Sequence, residues 1–157
     1  MIRDRQGNLL RLRALRRDAA RAHRAGIAKA LTRAEARLTA AEAIARTAKA
    51  AHNHLARSGY EGLVDRAISG PALAHVGQRI DLLADDRDHA VAERHAVLDE
   101  VTALRAKLDL ATRRLAEADL RHDTWKGRVE DAARRDALRD EDGREQARIE
   151  DRIGRGQ

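Results

Sequence analysis

Residues 57–77 read RSGYEGLVDRAISGPALAHVG. This stretch holds the only proline, Pro71, the only tyrosine, Tyr60, and the glycines Gly59, Gly62, Gly70 and Gly77. On both sides lie long tracts dominated by Ala, Arg, Leu, Asp and Glu. A chain composed almost wholly for helix therefore breaks once, near its middle. Ser58-Gly59 is expected to stop a first helix, because Gly supplies the left-handed C-cap geometry. Ser69-Gly70-Pro71 is expected to start a second, with Pro near the first helical position, where no backbone N–H is needed. The segment EGLVDRAI between them has room for a short helical turn. A linker of about a dozen residues lets the chain fold back on itself as an antiparallel hairpin.

The flanking tracts support that reading. After the break, Leu73, Val76, Ile80, Leu83, Arg87, Ala90, Arg94, Val97, Val101, Leu104, Leu108, Ala111, Leu115, Ala118, His122, Trp125, Val129 and Ala132 follow one another at spacings of 3 and 4 without a slip. Only Arg87, Arg94 and His122 interrupt the apolar set. Before the break, Ile27, Leu31, Ala34, Leu38, Ala41, Ala45, Ala48, His52 and Leu55 keep the same rhythm. Sustained heptads of this kind are a coiled-coil signal. Further upstream, Leu9, Leu12, Leu15, Ala19 and Ala22 are expected to continue the stripe in a slightly shifted phase, as a stutter would. The sequence thus predicts an all-α fold, two long helices forming one antiparallel coiled-coil hairpin over residues 1–157. Helix 1 spans about 9–57, the tip 58–71, and helix 2 about 72–136 with a polar extension to 152. The same seams could instead pair between chains, as a dimer of long helices.

With residues 57 and 72 flanking the tip, facing residues have numbers that sum to about 129. Arg87 then meets Glu42, Arg94 meets Glu35, and Leu9 lies beside Leu120. Small seam residues nearby, Ala34, Ala41 and Ala45, leave space for a long side chain. A polar residue at a seam position costs stability but can fix register. Past Asp136 the seam positions pass to Arg139, Gly143, Gln146 and Glu150, so the heptad signal ends there.

Composition agrees. Aromatics make up 1% of the 157 residues, Phe is absent, and charged residues reach 37%. This is the balance of a long-helix protein, not of a globular core. There is no cysteine, hence no disulfide framework and no thiolate metal site. No apolar run is long enough to cross a bilayer, and the first residues lack a secretory h-region, so a cytoplasmic protein without membrane insertion is expected. The net charge of +6 is unevenly spread: residues 1–57 carry 14 basic and 4 acidic side chains, residues 58–157 carry 18 and 22. Such asymmetry points to an anionic partner or to halves that attract each other.

Little in the sequence speaks for catalysis. His52 and His54 are two apart and point to different helix faces, and Asp85 and His89 lack further converging ligands. The run Asp140-Glu-Asp142-Gly143 would place Leu138 at the first position of a calcium loop. There is no phosphate loop, dinucleotide fingerprint or nucleophile elbow. The capping-box matches at Thr32/Glu35 and Thr39/Glu42 recur at seven residues, which is heptad repetition. Neither an enzyme nor a cofactor is expected. The arginines at 3, 5, 11, 13, 16, 17, 21 and 24 form a dense cluster that could bind nucleic acid through counterion release, but the aromatics that stack bases are missing.

An antiparallel hairpin of this size with a mid-chain tip and an overhanging charged C-terminus, the segment ISGPALAHVGQRIDLLADDRDHA with its glycine-containing turn, and the far-end TWKGR resemble the FliJ/YscO family, the central stalk proteins of flagellar and virulence type III secretion systems. The likeness extends over nearly the whole chain. It departs in having only Tyr60 as an aromatic near the tip, and in VEDAARRDALRDEDG after the Trp. The resemblance implies a non-enzymatic stalk that couples a hexameric export ATPase to the membrane export gate, peripheral to the inner-membrane export apparatus, with substrate chaperones as further partners. Carried onto this sequence, the ATPase contacts at the base would be Arg3, Arg5, Arg11, Arg13, Arg16, Arg17, Trp125, Lys126 and Arg128. The export-gate side would be Tyr60, Val76, Ile80, Leu83 and Arg87. The alternatives are a basic hairpin that binds nucleic acid and a coiled-coil adaptor with another partner.

Overall fold

In a computed structural model the chain forms two helices, α1 (Ile2–Glu61) and α2 (Gly70–Gly154). The structure describes the backbone of residues 2–61 and 69–154, and the side chains of residues 5–59, 61 and 69–150. The expected turn within EGLVDRAI falls at 62–68, outside the described residues. The fold is an all-α helical hairpin in which α1 and α2 pack against each other. Helices of 60 and 85 residues are not held by backbone propensity alone; each needs a partner for its apolar face. The chain divides into two compact units, one of Ala25–Asp109 and one of Met1–Arg24 with Leu110–Gln157.

The start of α2 follows the expected logic. The Ser69 carbonyl accepts from the Ala72 amide at 3.0 Å and from the Leu73 amide at 3.3 Å, which closes the first turn. Gly70 and Pro71 occupy first-turn positions, where proline loses nothing by lacking an N–H. The end of α1 differs from expectation. Ser58 and Gly59 do not stop the helix, which continues to Glu61. Ser58 Oγ donates to the His54 carbonyl at 2.9 Å, so the hydroxyl is satisfied inside the helix and forms no cap. Among the described residues no glycine has a positive φ, so Gly59 is not a left-handed C-cap. Its role is packing: a β-carbon built on Gly59 would stand 3.1 Å from Val76 Cγ1.

Ion pairs between the helices report the register of the Ala25–Asp109 unit. Arg37 pairs with Glu100, and Arg105 Nη2 donates to Glu35 Oε1 at 2.8 Å. These pairs lie about one heptad beyond the sequence expectation. The expected Glu42–Arg87 and Glu35–Arg94 pairs are therefore not formed. Glu35 is taken by Arg105, and the Arg87 guanidinium turns to Asp88 at 2.7 Å. Arg94 instead lines one groove with Glu42, Ala45, Arg46, Lys49 and Val91. The offset is already present at the last described turn of α1, where Gly59 lies against Val76 and not against the residue near 70 that the sequence arithmetic implied.

The seam of this unit is otherwise as expected. Every position from Ile27 to Leu55 in α1, and from Val76 to Leu108 in α2, is buried or half-buried. Only Leu73, the first position assigned to the α2 seam, is exposed. The buried residues of this unit are Ala34, Ala41, Ala45, Ala90 and Val101, so its innermost layer is made mostly of methyl groups. Each buries less apolar surface than a leucine would, at about 25 cal/mol per Å².

In the other unit, α2 again keeps its expected positions: Ala111 is buried, and Leu115, Ala118, His122, Trp125, Val129, Ala132 and Asp136 are half-buried. Residues 137–150 are all exposed, in line with the end of the heptads. In α1 the expected stutter does not occur. Counting back from Ile27 at unbroken spacings of 3 and 4 gives Arg24, Ala20, Arg17, Arg13, Leu10 and Gln6, and all but Arg24 are half-buried. Leu9, Leu12 and Leu15 are exposed, as is Leu120, so Leu9 and Leu120 do not meet in the seam. A continuous helix carries its phase along. Holding phase with arginine stems against α2 proves cheaper than rotating the leucines inward, since long cationic side chains can cover apolar surface while their heads stay polar.

Candidate functional site

The unit of Met1–Arg24 and Leu110–Gln157 concentrates the unusual chemistry. Its seam replaces aliphatic layers with arginine, histidine and tryptophan. Trp125 is half-buried, and its indole Nε1 donates to the Gln6 carbonyl at 3.4 Å. The Arg13 guanidinium lies over the ring at 5.3 Å from the centroid, and Arg128 approaches at 5.9 Å. A cation over an indole face is attracted by the ring quadrupole. Arg13 Nη1 also donates to the Arg121 carbonyl, at 3.5 Å. One turn on, Arg17 holds Asp18 at 3.1 Å and comes within 3.5 Å of His122 Nδ1. The same nitrogen of His122 lies 2.9 Å from Asp123 Oδ1. It cannot accept from Arg17 and donate to Asp123 together, so the tautomer decides which contact is a hydrogen bond. Arg21 faces Asp119 at 3.8 Å, and Arg24 Nε donates to Thr112 Oγ1 at 3.1 Å.

These contacts sort the arginine cluster by helix face. Arg13, Arg17, Arg21 and Arg24 are turned to α2 and engaged by it or by a neighbour on α1. Arg5, Arg11 and Arg16 are exposed. Lys126 and Arg128 are exposed too, with Lys126 at 3.9 Å from Glu130 and Arg128 beside Trp125. Of the nine residues expected at the base, Arg13, Arg17 and Trp125 are thus internal contacts. Arg5, Arg11, Arg16, Lys126 and Arg128 are open to a partner, and the Arg3 side chain lies outside the described residues. A shallow groove joins the two helices here, lined by Leu10, Ala14 and Val129 with Arg11, Arg17 and Lys126 at its sides.

The residues expected on the gate side fare differently. Val76, Ile80, Leu83 and Arg87 are all half-buried in the seam of the Ala25–Asp109 unit, which leaves little of them for another protein. The Tyr60 side chain lies outside the described residues. The large apolar residues that are exposed at this level are Leu73 and Leu82. Sequence reasoning missed the seam role of Arg13 and Arg17. The signal was present in the unbroken 3–4 count back from Ile27, but the apolar Leu9, Leu12 and Leu15 drew the reading one face over.

No protein-family model, no curated protein and no solved structure matches the chain. Among the described residues, no helix is long and apolar enough to cross a membrane. The arrangement offers paired helices, a methyl-rich seam in one unit, and a crowded cationic surface in the other. Among the described residues, Arg5, Arg11 and Arg16 carry exposed guanidinium groups, the kind of donor that pairs with carboxylate or phosphate.

Proposed function

We propose that the chain is a non-enzymatic stalk of a type III secretion apparatus, coupling a hexameric export ATPase to the membrane export gate. The reading rests on the family resemblance. The observation that carries it on the protein itself is the set of exposed cations, Arg5, Arg11, Arg16, Lys126 and Arg128, on two helices that pack against each other within one unit. A stalk needs a stiff element and a surface that a ring of subunits can grip. Paired heptad helices supply the first, and exposed guanidinium groups supply the second. The gate-facing surface in this reading is carried by Leu73 and Leu82, since Val76, Ile80, Leu83 and Arg87 are engaged in the seam. Chaperones of export substrates would dock along the exposed helix faces, and the protein would work in the cytoplasm beside the inner-membrane apparatus.

The test is ATP hydrolysis by the export ATPase of the same organism, titrated with this protein. Stimulation is expected, and it should be lost on reversing charge at Arg5, Arg11 and Arg16 together with Lys126 and Arg128. An intact hexamer that shows neither binding nor stimulation would overturn the reading. Salt-steep binding to DNA or RNA in that case would point to the nucleic-acid alternative.

A further inference from the structure

The stripe Leu12, Leu15, Ala19 and Ala22 recurs at spacings of 3 and 4 and looks away from α2. Leu12 keeps 42% of its surface and Leu15 61%, and both alanines are exposed. So α1 carries two apolar lines in this unit: the seam, which α2 covers, and this second line, which no described residue covers. On an α-helix, residues three and four apart share a face, and a continuous apolar face of this kind is the mark of a helix with a second neighbour.

The rim of the stripe is cationic. Arg11 and Arg16 flank the two leucines, are exposed, and make no ion pair or hydrogen bond among the described residues, unlike Arg13, Arg17, Arg21 and Arg24 on the inner side. Among the described residues of α1 in this unit Asp18 is the one carboxylate, and it is held by Arg17. We propose that this outer face of α1 docks an acidic amphipathic helix of a partner protein. The partner's apolar line would lie on Leu12, Leu15, Ala19 and Ala22, with its carboxylates reaching Arg11 and Arg16.

Other occupants fit less well. A second copy laid face to face would bring its own Arg11 and Arg16 against these, with both copies of Asp18 already taken. Nucleic acid would use the arginines and leave the leucines wet. A helix lying in a lipid surface uses bulky apolar residues along its length, and past Leu15 this face offers only methyl groups. Those methyl groups instead permit the close approach that helix–helix packing requires. The inference does not rest on the stalk reading, because the surface and its chemistry hold for any acidic helix.

The test uses the full chain and a fluorescein-labelled model helix with leucines at spacings of 3 and 4 and glutamates beside them, read by fluorescence anisotropy. Saturable binding is expected. Leu12→Asp with Leu15→Asp, and separately Arg11→Glu with Arg16→Glu, should each weaken it by about tenfold or more. Unchanged helical circular dichroism and Trp125 emission would show that the variants keep the hairpin. A matched helix with lysines in place of glutamates should not bind. Equal binding of both helices, or binding untouched by the variants, would overturn the proposal. So would preferred binding to phosphatidylglycerol vesicles, or a dimer in sedimentation that Leu12→Asp with Leu15→Asp dissolves.

Discussion

Val76 Cγ1 stands 3.1 Å from the place a β-carbon on Gly59 would take, with Leu55 Cδ1 at 3.5 Å on the same side. The glycine is inside α1 and has ordinary helical φ, so its value lies in missing volume. Gly59→Ala should come out near neutral: better helix propensity, up to about 1 kcal/mol, works against a contact that Val76 must relieve. Gly59→Leu should destabilise by about 1–3 kcal/mol through overpacking. Urea denaturation followed by circular dichroism separates the two. A Gly59→Leu protein as stable as wild type would mean that α1 and α2 do not approach here.

Register can be measured directly. The chain has no cysteine, so paired cysteines introduce no competing thiols. Arg37→Cys with Glu100→Cys should be joined by a short bismaleimide, because Arg37 and Glu100 form an ion pair. Arg37→Cys with Ala92→Cys, the pairing that the sequence arithmetic implied, should not. The two differ by about 12 Å along α2, at about 1.5 Å per residue.

The Glu35–Arg105 pair spans the helices at 2.8 Å, but its side chains remain 44% and 63% exposed. A double-mutant cycle with Glu35→Gln and Arg105→Gln should give a coupling of about 0.2–1 kcal/mol at low salt, and it should fade in molar salt. A coupling of several kcal/mol, insensitive to salt, would contradict the exposed geometry.

Trp125 is the sole tryptophan, so its emission reports on one unit alone. Arg13→Ala removes the nearer of the two cations over the ring, leaves Arg128, and opens the indole to water. Emission should shift to longer wavelength, with a stability loss of about 0.5–1 kcal/mol for the cation–π contact. Arg11 is not one of the cations over the ring, so Arg11→Ala should leave the emission in place.

Ala34 and Val101 are among the most enclosed residues of the fold. Ala34→Leu should therefore cost about 1–3 kcal/mol, as small-to-large changes in a packed layer do. The same substitution at the exposed Ala36 should cost nothing measurable, since only the first changes a buried volume.

The two-helix architecture and the whole α2 seam from Val76 to Ala132 were legible, because spacing alone decides which face of a helix is covered. Register was not. Sliding one helix along the other by about a heptad keeps seam facing seam, so spacing alone could not test the register on which the Glu35–Arg94 and Glu42–Arg87 pairs depended. The packing of Gly59 against Val76 belongs to the observed register, and in the sequence that glycine cannot be told from a helix stop. The seam of the N-terminal segment was misread for a related reason. Hydrophobicity favoured Leu12 and Leu15, yet the phase carried along a continuous helix placed Arg13 and Arg17 inside, where Trp125, His122 and the Arg121 carbonyl receive them. The candidate surface was therefore visible as a cluster of arginines, but its division into engaged and open members required the structure.

The seam changes character along the chain, from methyl groups around Ala34, Ala41 and Ala45 to guanidinium, imidazole and indole contacts around Arg13, Arg17 and Trp125. Dispersion between methyl groups is indifferent to dissolved ions, whereas partly exposed charge contacts are screened by them. Ionic strength therefore weighs more on the unit whose seam itself is charged; in the other it reaches only rim pairs such as Glu35–Arg105 and Arg37–Glu100. Amide protons of residues 6–24 and 110–136 should gain more in deuterium exchange rate as salt is raised than those around Ala34 and Val101.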